Sequence, residues 1–300
     1  MSDFTEIASG LQFPEGPIAM PDGTVVLVEI RRGTVSRVAP DGTVTVVAEP
    51  GGGPNGAAMG PDGKCYVCNN GGFEWIERGG LTFPGRQPAD YSGGRIERVD
   101  LDTGEVEVLY TECDGHPLRG PNDLVFDREG GFWFTDHGKY RPRERDRTGV
   151  FYATPDGKRI EEKIFPLEAP NGVGLSPDES VLYVAETPTG RVWAFDIEAP
   201  GQLGAGRRML AQIPDHHLFD SLAVDGDGNV CVATILTGGI SVHSPDGASV
   251  ELIPLPDRLT TNICFGGPDL RTAFITLSST GRLVSMPWAT PGLPLNFLGG

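Results

Sequence analysis

The chain has 300 residues, 24 of them basic and 41 acidic, for a formal net charge of −17. An acidic balance of that size repels phosphate backbones and excludes nucleic acid as an expected partner. No apolar run approaches the roughly 18 residues of a membrane span, and MSDFTEIASG at the start lacks the basic and apolar regions of a secretory leader, so a cytoplasmic protein without a membrane partner is expected.

In chain order, a short strand-like run, DFTEIAS (3–9), comes first. Six related segments follow: PEGPIAMPDGTVVLVEI (14–30), PNGAAMGPDGKCYVCNN (54–70), PNDLVFDREGGFWFTDH (121–137), PNGVGLSPDESVLYVAE (170–186), FDSLAVDGDGNVCVATI (219–235) and TNICFGGPDLRTAFITL (261–277). Each is an alternating run, a turn and a second β-rich run, the pattern of an antiparallel hairpin. A third run opened by glycine comes next, as in GTVSRVA at 33 and GRVWAFD at 190, and usually a fourth, as in EVEVLYT (105–111). The sixth copy lacks the fourth run, because Pro291 and Pro294 interrupt the segment after it. The spare N-terminal run is predicted to complete the last blade and remove a sheet edge. The fold expected is all-β: a six-bladed β-propeller of four antiparallel strands per blade, one domain over residues 1–300. Cys65 and Cys68 form a C-x-x-C inside a strand, where an offset of three sends them to opposite faces; buried thiols are expected, and no zinc site.

Aligning the repeats exposes one column at the start of each first strand: Glu15, Asn55, Asn122, Asn171, Asp220 and Asn262. Innermost strands of a propeller line its channel, so these six oxygen-bearing side chains are predicted to ring one mouth. Asn and Asp also open strands for local turn reasons. A carboxylate or amide in all six copies, with Glu in a P-E-G that replaces P-N-G, points instead to ligands for a hard cation. All-oxygen donors favour Ca2+, with Mg2+ and Mn2+ next and Zn2+ less suited.

Residues closing each second strand are predicted to face the same mouth; Asp136 and His137 are the candidate substrate contacts among them. The longest interval between copies holds GGFEWIERGGLTFPGRQPADYSGG (71–94), whose Phe73 and Trp75, with Phe83 and Tyr91, are placed as an apolar lid. GKYRPRERDRTG (138–149) carries Lys139 and four arginines and is read as a solvated loop with internal ion pairs. His216 and His217 precede Asp220 in PDHHLFD, and His217 is the one taken as a substrate contact.

The segments FPEGP, GPNDL, APNGVGLSPD, FDSLAVD and TNICFGG resemble, in order and over almost the whole chain, the senescence-marker-protein-30 / gluconolactonase / luciferin-regenerating-enzyme family. The resemblance implies a six-bladed propeller with one divalent metal in its channel. It implies metal ligation by Glu15, Asn171 and Asp220, with Asp220 also the base or nucleophile. Asn122 matches an Asn that binds metal in some members and contacts substrate in others. Asn55 and Asn262 inherit no role and stand as candidate substrate contacts by their place in the column. The implied activity is a metal-dependent lactonase acting on a small lactone or ester, as a monomer or weak homo-oligomer. A phosphotriesterase-like hydrolase and a non-catalytic binding propeller are the alternatives, since the same scaffold carries both.

Overall fold

The computed structural model describes residues 3–213 and 217–298. Among them no helix is assigned, and six four-stranded antiparallel sheets stand in a ring. In blade 1 the strands run outward as Pro14–Ala19, Val25–Glu29, Thr34–Val38 and Val44–Ala48. The inner strands of blades 2 to 6 are Pro54–Met59, Pro121–Phe126, Pro170–Leu175, Leu218–Val224 and Thr260–Gly266. Blade 6 takes its outer strand from the N-terminus: Thr5–Ala8 pairs with Arg282–Pro287, as the spare run predicts. The segment after blade 6 does not join its sheet. Pro291, Gly292 and Leu293 make main-chain hydrogen bonds to Gly226, Leu270 and Val224 across the turn end of the channel.

Each strand that faces two neighbouring blades is apolar on both sides, which is why the second strands read as nearly continuous Val, Leu, Phe and Tyr. Their side chains form one cluster per blade interface. Tyr66, Phe126, Phe132 and Phe134 join blades 2 and 3, and Trp133, Tyr152, Leu175 and Leu182 join blades 3 and 4. Ala8, Leu11 and Leu283 meet Val25, Leu27 and Val38 where the ring closes. Cys65 and Cys68 are both fully buried and fall in different clusters, Cys65 between blades 1 and 2 and Cys68 between blades 2 and 3.

The long insertion differs from a plain loop. Trp75–Arg78 and Leu81–Pro84 pair as a small hairpin, and Thr82 N donates to Ser279 O at 3.1 Å, so the insertion of blade 2 reaches blade 6 across blade 1.

Removing residues 1–10 strips the outer strand from blade 6 and uncovers the edge of Arg282–Pro287. The expected result is a thermal midpoint lower by roughly 5 °C or more, with concentration-dependent association in light scattering. An unchanged midpoint and a monodisperse product contradict closure by this strand.

A carboxylate-centred ring at the channel mouth

All six inner strands carry a register irregularity where the column residue sits, between Glu15 and Ile18 in blade 1 and at the matching places in the others. A bulge bends its strand and re-aims a side chain, and its sixfold repetition turns the column toward the axis. The next residue decides how closely the strands approach. At Gly16 a Cβ would lie 2.5 Å from Asn55 O, and at Gly56 2.5 Å from Asn122 O. Blade 4 keeps the glycine as Gly172, while Asp123 replaces it in blade 3, Ser221 in blade 5 and Ile263 in blade 6.

Charge is therefore concentrated at the axis. Glu15 is 3% exposed and Asp123 7%. Burial pushes the Glu15 carboxyl up to about 7 against partial compensation by Asn262 and the Gly16 N–H. Burial, with the Glu15 charge adding, pushes Asp123 up to about 7 as well. Asp220 is pushed up by burial and then by Glu15, with Asp123 contributing further and Asn171 opposing through a hydrogen bond. Three acids sharing a desolvated space disfavour one another's ionisation. Asp220 alone among them keeps partial exposure.

The amides divide by orientation. Asn171 Nδ2 donates to Thr187 Oγ1 at 3.1 Å, which leaves its oxygen toward Ser221 Oγ and the channel. Asn122 Oδ1 is buried without a hydrogen-bond partner. Asn262 is committed elsewhere: its oxygen accepts from Ile263 N at 2.8 Å and its Nδ2 donates to Glu15 Oε2 at 2.9 Å. Both ends of its amide are thereby engaged, and it orients Glu15. Asn55 is buried in the ring, 5% exposed. Among the described residues no three His, Cys, Asp or Glu side chains form a group able to hold a metal. A cation at this place would need amide oxygens besides Glu15 and Asp220. The orphaned Asn122 oxygen and the mutually repelling acids make the donor set fit a hard divalent ion.

The second-strand ends do not all face the mouth. Both Asp136 oxygens are taken by the N–H groups of Arg119, Gly120 and Gly138 at 2.7–2.8 Å, and Asp136 is 1% exposed. It ties down the approach to blade 3, and both of its oxygens are engaged by main chain. Glu29, Asn69 and Glu186 do the same work in their blades, accepting from Gln12, Gly53 and Glu168 N–H groups. The residues after them, Ile30, Asn70, His137 and Thr187, with Ile235 in blade 5, make up an upper tier, which in blade 4 touches the column through Thr187 and Asn171. His137 is half-buried there, and its imidazole is held down to about 4 by burial, with Arg145 and Lys139 adding. Phe73 and Trp75 lie 6.1 Å apart and edge-on, and Trp75 is 5.1 Å from Phe13. With Phe83 they cover Phe13, Ile30 and Leu259, the apolar flank over blades 6 and 1. His217 sits with Nδ1 3.1 Å from the Thr237 hydroxyl, outside the column, and His216 lies outside the described residues. In the basic loop Arg141 pairs with Glu144 and Asp146, as expected of internal ion pairs, whereas Arg145 and Arg147 approach Glu168 outside the loop and Lys139 is buried.

Residues 13–279 match the SMP-30/Gluconolactonase/LRE-like region. The chain belongs to this family. Among its relatives, a gluconolactonase of Zymomonas mobilis is 30% identical, over 91% of this chain and 78% of that one. Of solved structures, a gluconolactonase of Xanthomonas campestris superposes with a TM-score of 0.76 at 27% identity, covering 95% of this chain and 89% of that one. The calcium-binding protein regucalcin of Agrobacterium tumefaciens superposes at 0.76 and 18% identity, over 96% and 94% of the two chains, a likeness of fold. In this member of the family the channel beneath the ring widens into a cavity of about 360 Å³ lined by Ile18, Met59, Leu124, Val173, Ile263 and the C-terminal Leu293 and Leu295.

Sequence reasoning missed Asp123, Ser221 and Thr187. The signal for the first two was visible: they stand where four other copies do not keep a charged or hydroxyl side chain.

The raised carboxyls have a signed consequence. A folded acid that holds its proton more tightly than the unfolded chain loses stability as pH climbs from the ordinary carboxylate range through its folded value. In chelator, Glu15→Gln is therefore expected to raise the thermal midpoint over the parent at about pH 8 and to gain little at about pH 5. A gain independent of pH contradicts the shift.

Proposed function

We propose that this protein is a divalent-metal-dependent hydrolase of the lactonase kind. The carrying observation is the axial ring, in which Glu15 and Asp220 are desolvated together beside an Asn122 oxygen with no partner. Glu15, Asn122, Asn171 and Asp220 would hold the ion, and their oxygens favour Ca2+. The gluconolactonases of Zymomonas and Xanthomonas among its relatives support the reaction class. When bound, such an ion supplies the Lewis acidity that polarises a carbonyl and stabilises the oxyanion formed on attack.

The protein's own groups do the rest. Asp220 is the acid of the three with exposure to the channel, so it is the carboxylate that meets substrate or water. It takes the proton of the attacking water, or attacks the carbonyl carbon itself. Asn262 holds Glu15 by its Oε2, and Thr187 holds Asn171 by its Nδ2. Those second contacts fix the ring before any ligand arrives, so little reorganisation accompanies reaction. The cavity below the ring is lined by apolar side chains together with Asp123, Arg128, Glu179 and Asn262, and the C-terminal segment crosses it.

The test is acid release in a pH-stat from a panel of γ- and δ-lactones, before chelation, after it and after adding Ca2+. Loss on chelation and return with Ca2+ are expected, and Asp220→Asn lowers turnover by about 100-fold or more. Full turnover by that variant contradicts the role of Asp220. Turnover of a phosphotriester in place of every lactone contradicts the substrate class. Single-turnover reaction in labelled water separates the two roles, because label enters the Asp220 carboxylate only when it attacks directly.

A further inference from the structure

The upper tier is divided by chemistry. Ile30 and Ile235 belong to the apolar cluster with Phe13 and Leu259, over blades 5, 6 and 1. Asn70, His137 and Thr187 make a polar arc over blades 2, 3 and 4. Within that arc one side chain is held in an unusual way. Asn70 is 2% exposed, and its Oδ1 accepts from Lys139 Nζ at 3.0 Å and from Gly72 N at 2.9 Å. Its Nδ2 is buried without a hydrogen-bond partner.

The orientation of this amide is decided by its neighbours. An ammonium and a main-chain N–H only donate, so the atom between them is the oxygen and the other end is the NH2. Lys139 is itself 1% exposed, gives a second hydrogen bond to Gly72 O at 2.6 Å and lies 3.8 Å from the centroid of the Phe73 ring. A buried lysine is therefore spent on fixing one amide and the first turn of the long insertion. A buried donor left unpaired is costly in a folded protein, and one held this firmly in place calls for a partner such as a ligand, ion or water. The equivalent residue in blade 4, Thr187, touches the axial Asn171, which places this tier directly above the ring.

We infer that Asn70 Nδ2 is a specificity-determining donor to an oxygen substituent of the substrate ring, one tier above the carbonyl, and that Lys139 is the positioning residue that presents it. The preferred substrate is a lactone with an oxygenated edge toward blades 2–4 and a hydrocarbon edge toward the Phe13, Ile30 and Trp75 flank. No covalent step is involved; the hydroxyl oxygen accepts one hydrogen bond from the amide. The inference rests on the lactonase reading for the identity of the ligand.

The experiment compares α-hydroxy-γ-butyrolactone with γ-butyrolactone in the parent protein, Asn70→Asp and Lys139→Met. Asn70→Asp keeps the acceptor for Lys139 and Gly72 while replacing the donor by a second acceptor. The parent is expected to favour the hydroxylated lactone in kcat/KM, and Asn70→Asp to lower that ratio by about three- to tenfold or more. Lys139→Met lowers it in the same direction by less, because Gly72 N still holds the oxygen. A purely structural role for Asn70 would depress both lactones alike and leave the ratio unchanged, and that result overturns the proposal. Should Lys139→Met fail to fold, the Asn70→Asp ratio decides alone. Should the parent hydrolyse neither compound, the lactonase reading fails, and calorimetric binding of the same pair decides Asn70. Selective weakening of the hydroxylated compound in Asn70→Asp upholds the donor; equal weakening, no change or no binding overturns it.

Discussion

The desolvation of like charges on the propeller axis is the constraint on which the rest of this structure depends. Six inner strands converge there, and the glycines after the column let them approach until a Cβ at Gly16 or Gly56 would meet the next blade's backbone. Water is displaced by that approach, and Glu15, Asp123 and Asp220 are desolvated near enough for their charges to oppose one another's ionisation. Neutralisation by protons or by a cation is the physical resolution, and buried charges without either are strongly penalised. Asp123, standing where blades 1, 2 and 4 have a glycine just after the column, deepens the negative potential without adding a side chain to the ring itself.

The interface clusters serve that centre. Each blade buries both faces against neighbours, and a lone blade would leave those faces wet. The geometry of the ring is thus set by six independent apolar contacts, and the polar network rides on them. Asp136, Glu29, Asn69 and Glu186 repeat one device, a side chain that accepts main-chain N–H groups from the segment entering the inner strand. They hold the backbone from which the column residues project. Above them the mouth acquires character from what each blade offers in the upper tier, apolar on one side and hydrogen-bonding on the other.

Much of this was legible in the sequence because propeller repeats are local. The hairpins, the six-fold count and closure by residues 3–9 follow from turn chemistry and alternation, and the structure has them all. The column was legible for the same reason. Its division of labour was not. Whether Asn262 faces substrate or Glu15, and whether Asp136 faces the mouth or the Arg119 and Gly120 N–H groups, depends on side-chain direction at a bulge, which repeat alignment does not carry. The hairpin in the insertion and its reach to Ser279 depend on contacts between blades distant in sequence. Lys139 read as one of five basic residues in a solvated loop, and only burial against Asn70 and Gly72 sets it apart.

Calorimetric titration of chelated protein with Ca2+ tests the central claim most directly, because it reads the ring without reference to any substrate. The account predicts one ion per chain, and loss of that binding in Glu15→Gln with the thermal midpoint of the chelated protein no lower than the parent's. Absence of binding to the folded parent, or undiminished binding in Glu15→Gln, would contradict it.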